Sequence, residues 1–278
     1  MGRKFAVIGG DKRSLALVNL LEEDGHNVRN LVNSDYGYLE FADDEIIIGP
    51  LPFTHDNENL DAPFHDKKIN IEEVFKAISK EQYFIAGNIP AQHMKKAMGL
   101  NINIIDYFKR EEMQIANAIP TAEGAVLVAM ENLSRTIHKS KILLLGYGRI
   151  GKALSNLLYK MGAETYVAAR DYGDIARIES LKYNSILFKD INKVLSKVDV
   201  VFNTVPSLVL TKDELLNMSK ETLIIDLASN PGGVDFDCAK DLGINALHAQ
   251  GLPGKYAPVT AANIIKETIY NIVDERGI

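Results

Sequence analysis

Apolar and polar positions alternate along the chain in two periods, and the two take turns. Short, mostly apolar runs recur at residues 5–8, 28–32, 45–49, 83–86 and 102–105. Runs of that length, bounded by Gly, Asn, Asp and Pro, predict buried strands. Between several of them the spacing turns helical. Over 14–23, Leu15, Val18 and Leu20 or Leu21 share one face, and 71–79 and 91–98 read the same way. The second half repeats the alternation, with strands predicted at 141–145, 164–169, 186–188, 198–202, 223–227 and 244–248. Helices are predicted through Leu154, Leu157, Leu158 and Met161, at 190–197, after the capping-box pattern Thr211-Lys212-Asp213-Glu214, and over 259–275. Strands alternating with helices make parallel sheets covered on both faces.

The pattern changes around residues 119–124. Pro120 is expected to end a helix at 109–118, because it lacks the N–H and crowds the turn before it. Thr121 then reads as an N-cap with Glu123 in the first turn, opening a helix over 121–134 that carries Ala125, Val128, Ala129 and Leu133. That helix bridges two predicted domains. Residues 1–120, joined by the C-terminal helix 259–278, form an N-terminal domain for substrate or partner. Residues 121–258 form a nucleotide-binding domain. Residues 51–68, polar and holding Pro52 and Pro63, read as a long loop. His55 and His65 within it lack the ligand spacing of a metal site, and no metal is expected.

The strongest chemistry lies at 141–151, where the apolar run Lys141-Ile142-Leu143-Leu144-Leu145 meets Gly146-Tyr147-Gly148-Arg149-Ile150-Gly151. This is G-x-G-x-x-G between a strand and a helix, the setting in which the motif binds a dinucleotide. One glycine makes the turn, the next lets backbone approach the pyrophosphate, and the third lets helix pack on strand. The helix start adds N–H groups and a positive dipole end. A second strand ends at Ala169, and Arg170 stands 19 residues after Gly151. At about that distance NAD-binding folds carry an acid for the ribose 2′-hydroxyl. A guanidinium there suits a 2′-phosphate instead, so NADP is expected. Asp171, next in line, leaves a carboxylate turned to the ribose as the alternative.

The fold predicted is therefore α/β, with two Rossmann-like doubly wound parallel-sheet domains and an interdomain cleft. Ligands of open α/β sheets sit beyond the carboxyl ends of the strands. Three turn-rich segments fall there in the second half: 203–206, 228–233 and 249–258. They add Thr204, Val205, Pro206, Ala228 and Ser229 to the candidate cofactor residues. An anionic substrate would find cationic or N–H-rich partners in Arg13, Lys255, the Thr121 hydroxyl and the Gly232 and Gly233 amides. For the catalytic step the candidates are His248, Lys255 and Thr121, with His248 read more readily as structural. In the first half, Gly9-Gly10-Asp11 lacks the third glycine. It either holds a small anion or simply turns the chain, and Arg13 is either a carboxylate anchor or a solvated surface residue.

Composition narrows the class. The chain has 278 residues, 46% of them hydrophobic, enough for one large or two medium domains. A net charge of −6 argues against nucleic acid as a partner. Cys238 is the single cysteine, which fits a reducing compartment. No apolar run approaches the roughly 20 residues of a membrane span, and the N-terminus lacks a long apolar leader. A cytoplasmic location is expected.

Taken together, these segments resemble the family of dipicolinate synthase A subunits. The resemblance rests on I-G-G-D at 8–11, I-P-T-A-E-G at 119–124, L-G-Y-G-R-I-G at 145–151, A-R at 169–170 and N-T-V-P-S at 203–207. It continues through D-L-A-S-N-P-G-G-V-D-F at 226–236 and G-L-P-G-K-Y-A-P-V-T-A at 251–261. The latter half alone would also suit the wider group of two-domain dehydrogenases. The resemblance implies NADP-dependent oxidation of dihydrodipicolinate, or its hydroxylated tetrahydro precursor, to pyridine-2,6-dicarboxylate. It also implies a partner, the flavoprotein-like B subunit of dipicolinate synthase, and the mother cell of a sporulating bacterium as the setting. A homo-oligomer remains open. Two other readings stand beside this one. One is a related 2-hydroxy- or amino-acid dehydrogenase. The other is a non-catalytic NADP-holding protein that supports its partner.

Overall fold

The computed structural model describes residues 2–33, 41 and 43–278. The chain forms two compact units, Met1–Asn117 with Pro253–Ile278, and Ala118–Leu252.

The first unit runs β1 (Lys4–Ile8), α1 (Lys12–Glu23), β2 (Asn27–Leu31), β3 (Ile46–Ile48), α2 (Ile71–Ala77), β4 (Tyr83–Ala86), α3 (Ala91–Gly99) and β5 (Asn103–Asp106). All five strands are parallel, in the order β2-β1-β3-β4-β5. Its middle strand shows why the sequence reads as an unbroken apolar run. Ile46 and Ile48 enter the core under α1, while Ile47 enters the core under α2 and α3. A parallel strand buried on both faces has no polar side to show. The 51–68 loop is anchored by Phe53, Leu60 and Ile69, all buried.

After β5 a long helix, α4 (Glu111–Asn132), runs without interruption through Pro120. The expected break at Pro120, and with it the Thr121 N-cap and a helix start at 121, is corrected. Proline removes one N–H and crowds the carbonyl of Ala116, at about 3 kcal/mol in a helix interior. Small residues on both sides (Ala118, Thr121, Ala122, Gly124 and Ala125) are buried, and that packing offsets the loss. Thr121 is thus mid-helix and 7% exposed, Glu123 lies outside the first turn, and the first-turn acids are Glu111 and Glu112.

The second unit runs β6 (Lys141–Leu145), α5 (Arg149–Lys160), β7 (Glu164–Ala169), α6 (Tyr172–Ser180), β8 (Asn184–Leu187), α7 (Asn192–Leu195) and β9 (Val200–Asn203). It continues with α8 (Lys212–Leu216), β10 (Leu223–Asp226), α9 (Phe236–Leu242) and β11 (Asn245–His248), and a short helix, α10 (Leu252–Tyr256), begins where the chain returns to the first unit. The six strands are parallel in the order β11-β10-β9-β6-β7-β8. Counted within the unit that is 6-5-4-1-2-3, the dinucleotide-binding order. Its switch point lies between β6 and β9. The capping box at Thr211 and Glu214 forms as its sequence pattern predicts. Three helices went unpredicted: α6, capped by Asp171, α9, capped by Asp235, and α10, within the 249–258 segment read as turn-rich.

The last helix, α11 (Pro258–Arg276), belongs to the first unit. Its Ala262, Ile265, Ile269 and Ile272 share a core with Phe5, Val7, Leu17 and Leu21. Arg110 fixes its far end with a two-bond fork to Glu275, both bonds 2.6 Å. Among the described residues no helix is long and apolar enough to cross a membrane.

Candidate dinucleotide site

At the end of β6 the chain turns through Gly146, whose φ of +100° lies in the left-handed region. A Cβ on Gly146 would fall well inside 3.0 Å of the Thr204 hydroxyl, and one on Gly151 equally close to the Gly146 carbonyl oxygen. Neither position has room for a side chain. Gly148 is the opposite case. It caps α5, is exposed, and a Cβ there would meet no atom within 4 Å. Two glycines close the turn, and the third faces open space before the first N–H groups of a twelve-residue helix. That is a cradle for a pyrophosphate, and these residues fit one. Tyr147, 8% exposed, packs beneath the turn with the Lys152 Nζ 5.5 Å from its ring. Burial pushes its phenol above the usual range. Arg149 is exposed and Ile150 half-buried at the helix start.

Across the switch point, the loop after β9 is built by a polar pair that sequence reading missed. Asn203 and Asp226 end neighbouring strands in register, and both are 0% exposed. Asp226 Oδ1 accepts from Asn203 Nδ2 at 2.8 Å and from Ala228 N at 3.1 Å, and its Oδ2 accepts from Gly233 N at 2.9 Å. Asn203 also bonds both backbone groups of Val205. One buried carboxylate, satisfied by three donors, thus shapes both the 203–206 and 228–233 loops. The signal was present, since each apolar strand ends on a polar residue. The Thr204 hydroxyl donates to the Leu145 carbonyl at 2.9 Å and so fills the space Gly146 leaves. Val205 is half-buried, Pro206 and Ser229 are exposed, and Ala228 is buried. The Gly232 and Gly233 amides, read as substrate donors, are spent on Ser229 O and Asp226.

Ala169 ends β7, and Arg170 stands exposed just beyond it. Its guanidinium lies 5.7 Å from the Phe188 ring centroid and donates to Ser207 Oγ at 3.3 Å. The neighbouring Asp171 is committed elsewhere. Its Oδ1 accepts from Asp174 N at 2.8 Å at the start of α6. The Asp174 amide, with help from that of Gly173, holds its carboxyl below the usual range. The side chain presented at this strand end is therefore the cation.

The remaining candidates are scattered. His248 is exposed at the end of β11, with its ring 5.6 Å from Phe236 and its Nε2 3.4 Å from Ala228 O. In the first unit, Gly9 N and Gly10 N bond the Leu31 and Asp61 carbonyls, so that turn is no anion nest. Arg13 is not a solvated surface residue. It is 8% exposed, and Asp11 holds it with a two-bond fork, Nε to Oδ1 and Nη2 to Oδ2, each 2.9 Å. Gly254 packs against that pair, which brings the exposed Lys255 beside it, its Nζ 4.8 Å from the Tyr256 ring. Among the described residues no group of three or more His, Cys, Asp or Glu is placed to hold a metal ion.

The strand order and the glycine turn define a dehydrogenase-type, dinucleotide-binding domain. The family models agree. Residues 4–108 match the N-terminal domain of the dipicolinate synthase A subunit, and residues 128–248 match the shikimate/quinate 5-dehydrogenase domain. The chain is 31% identical over 303 aligned positions to the dipicolinate synthase A subunit of Bacillus subtilis (strain 168), covering 99% of both. The crystal structure of the same protein from Bacillus halodurans superposes with a TM-score of 0.88 at 29% identity, covering 98% of each chain. The one from Bacillus subtilis gives 0.87 at 30% identity, covering 99% of this chain and 97% of the other. This chain belongs to the family of dipicolinate synthase A subunits.

Proposed function

We propose that the chain is the NADP-dependent oxidoreductase subunit of a dipicolinate synthase, oxidising dihydrodipicolinate or its hydroxylated tetrahydro precursor to pyridine-2,6-dicarboxylate. The carrying observation is the pairing of an open Gly148 with a cationic end to β7. The open position at Gly148 supports a pyrophosphate at the turn, and the exposed Arg170 guanidinium beyond β7 supports a 2′-phosphate. The family membership supplies the substrate class.

Aromatising a dihydropyridine removes a hydride and a proton, the hydroxylated precursor first losing water to reach that level, and oxidised NADP, when bound, would supply the hydride acceptor. The chain's own part is to bind and orient. The α5 start and Gly148 hold the pyrophosphate, and Arg170 with Ser207 meets the 2′-phosphate. Thr204 and the Asn203–Asp226 pair fix the loops beside the turn. Within the first unit, Arg13 and Lys255 are the cationic candidates for contact with a dicarboxylate. Exposed His248 is the candidate to take up the proton and pass it to water. A flavoprotein-like partner protein completes the enzyme, and the mother-cell cytoplasm is its setting.

The test of the nucleotide assignment is direct titration of NADPH and NADH into the purified chain. NADPH should bind at least tenfold tighter, and Arg170→Ala should remove most of that preference while leaving NADH affinity nearly unchanged. Equal affinities in the wild-type chain would reject NADP as its nucleotide.

A further inference from the structure

Arg13 and Tyr107 are both deeply buried and neither is fully used. A guanidinium has five N–H donors. Asp11 takes the Nε–Nη2 edge, and the second Nη2 hydrogen goes to the Leu51 carbonyl. Nη1 makes no hydrogen bond among the described residues. Tyr107, 1% exposed just after β5, also donates its hydroxyl to nothing among them.

The two groups meet around one stretch of backbone. Arg13 bonds Leu51, and a Cβ on Gly87 would lie 2.8 Å from both Leu51 Cβ and the Tyr107 ring edge. Only a glycine lets the phenol sit there. A Cβ on Gly254 would lie 2.8 Å from Arg13 Nε and from Asp11 Oδ2, so the segment carrying Lys255 closes on the same spot. Asp11, the N-cap of α1, holds the guanidinium rather than leaving it to swing. Asp11 with Arg13, Leu51, Gly87 and Tyr107 follow the carboxyl ends of β1, β3, β4 and β5 in turn, the edge where open parallel sheets bind ligands. A buried cation with one bare amino group beside a buried bare hydroxyl is costly unless an acceptor completes it.

We infer that Arg13 Nη1 and the Tyr107 hydroxyl together form a carboxylate-binding site in the first unit, with Asp11 as the residue that positions Arg13. The ligand class is a small planar carboxylate. This deepens the proposed function and rests on it for the identity of that carboxylate, one arm of a pyridine-2,6-dicarboxylate. Burial pushes the Tyr107 phenol far above its usual range, against a smaller pull downward from Arg13. The phenol is thus a neutral donor at all working pH values. Asp11 already balances the guanidinium charge, so what the two groups offer is N–H and O–H donors, which suit an acceptor-only carboxylate better than a cation or an apolar group.

The experiment is calorimetric titration of pyridine-2,6-dicarboxylate into the full chain saturated with NADPH, for wild type, Tyr107→Phe and Arg13→Lys. Tyr107→Phe removes only a hydroxyl that bonds nothing among the described residues, so the thermal midpoint should hold. Its dicarboxylate affinity should fall about tenfold, the loss of one hydrogen bond to a charged acceptor. Arg13→Lys should weaken the dicarboxylate by at least as much, and NADPH affinity should be unchanged in both. Wild-type affinity for the dicarboxylate in Tyr107→Phe would overturn the inference and leave the nucleotide reading standing. A chain that binds NADPH but no dicarboxylate would overturn it too. A wild-type chain that binds no NADPH would instead sink the reading on which it rests.

Discussion

Replacing Gly148 and Gly151 by alanine, one at a time, should separate binding from folding, because a methyl meets open space at one position and backbone at the other. At Gly148 the methyl meets nothing within 4 Å, and φ −77° with ψ −158° is open to any residue. The folding cost is that of a poorer N-cap, about 0.5–1 kcal/mol. For a domain of this size that is a shift of roughly 2–4 °C in the melting midpoint. The same methyl occupies the space left for the pyrophosphate. Losing one hydrogen bond to a charged oxygen costs about 1.5–3 kcal/mol, or roughly tenfold to a hundredfold in affinity. At Gly151 the methyl runs into the Gly146 carbonyl, which is backbone and cannot rotate away. Helix and turn must separate, at about 1–3 kcal/mol of overpacking and a midpoint lower by roughly 3–10 °C. Calorimetric melting and NADPH titration read the two effects separately. Gly148→Ala with full NADPH affinity, or Gly151→Ala with an unchanged midpoint, would refute this account of the turn.

Two further predictions concern single side chains. Asp226→Asn must turn an amide N–H toward Asn203 and Ala228 or toward Gly233, all donors, and should cost about 1–3 kcal/mol while loosening both loops. A melting midpoint equal to wild type would count against the buried carboxylate as their common support. Glu275→Gln should lower the midpoint at neutral pH. The hydrogen bonds from Arg110 hold the Glu275 carboxyl below the usual range. Such a group adds stability above its unfolded value, and that stability is lost as pH falls through the lowered folded value. The gap between variant and wild type should therefore close in acid, and a gap constant across that range would disprove the linkage.

How far the sequence speaks for itself depends on the range of the forces involved. The strands of both units were legible because a parallel strand buried on two faces is an apolar run, as at Ile46–Ile48. The glycine turn was legible because its chemistry is local, within residues 146–151. Pro120 misled because propensity is local, whereas the burial of Ala118, Ala122 and Ala125 that overrides it is not. The Asn203–Asp226 pair and the use of Arg13 by Asp11 and Leu51 depend on which strand lies beside which. Only topology supplies that. Helix α6 was missed because its one clear signal, Asp171 as an N-cap, was read instead as a possible ribose ligand.

The most direct test of the central claim is NADP reduction on adding freshly generated dihydrodipicolinate, with and without the flavoprotein-like partner, for the wild-type chain and for Gly148→Ala. The account predicts that NADPH appears in step with pyridine-2,6-dicarboxylate, and that Gly148→Ala slows both alike at limiting NADP. Dicarboxylate formed at the wild-type rate by the Gly148→Ala chain with its partner, without matching NADPH, would place the redox step outside this chain and contradict the claim.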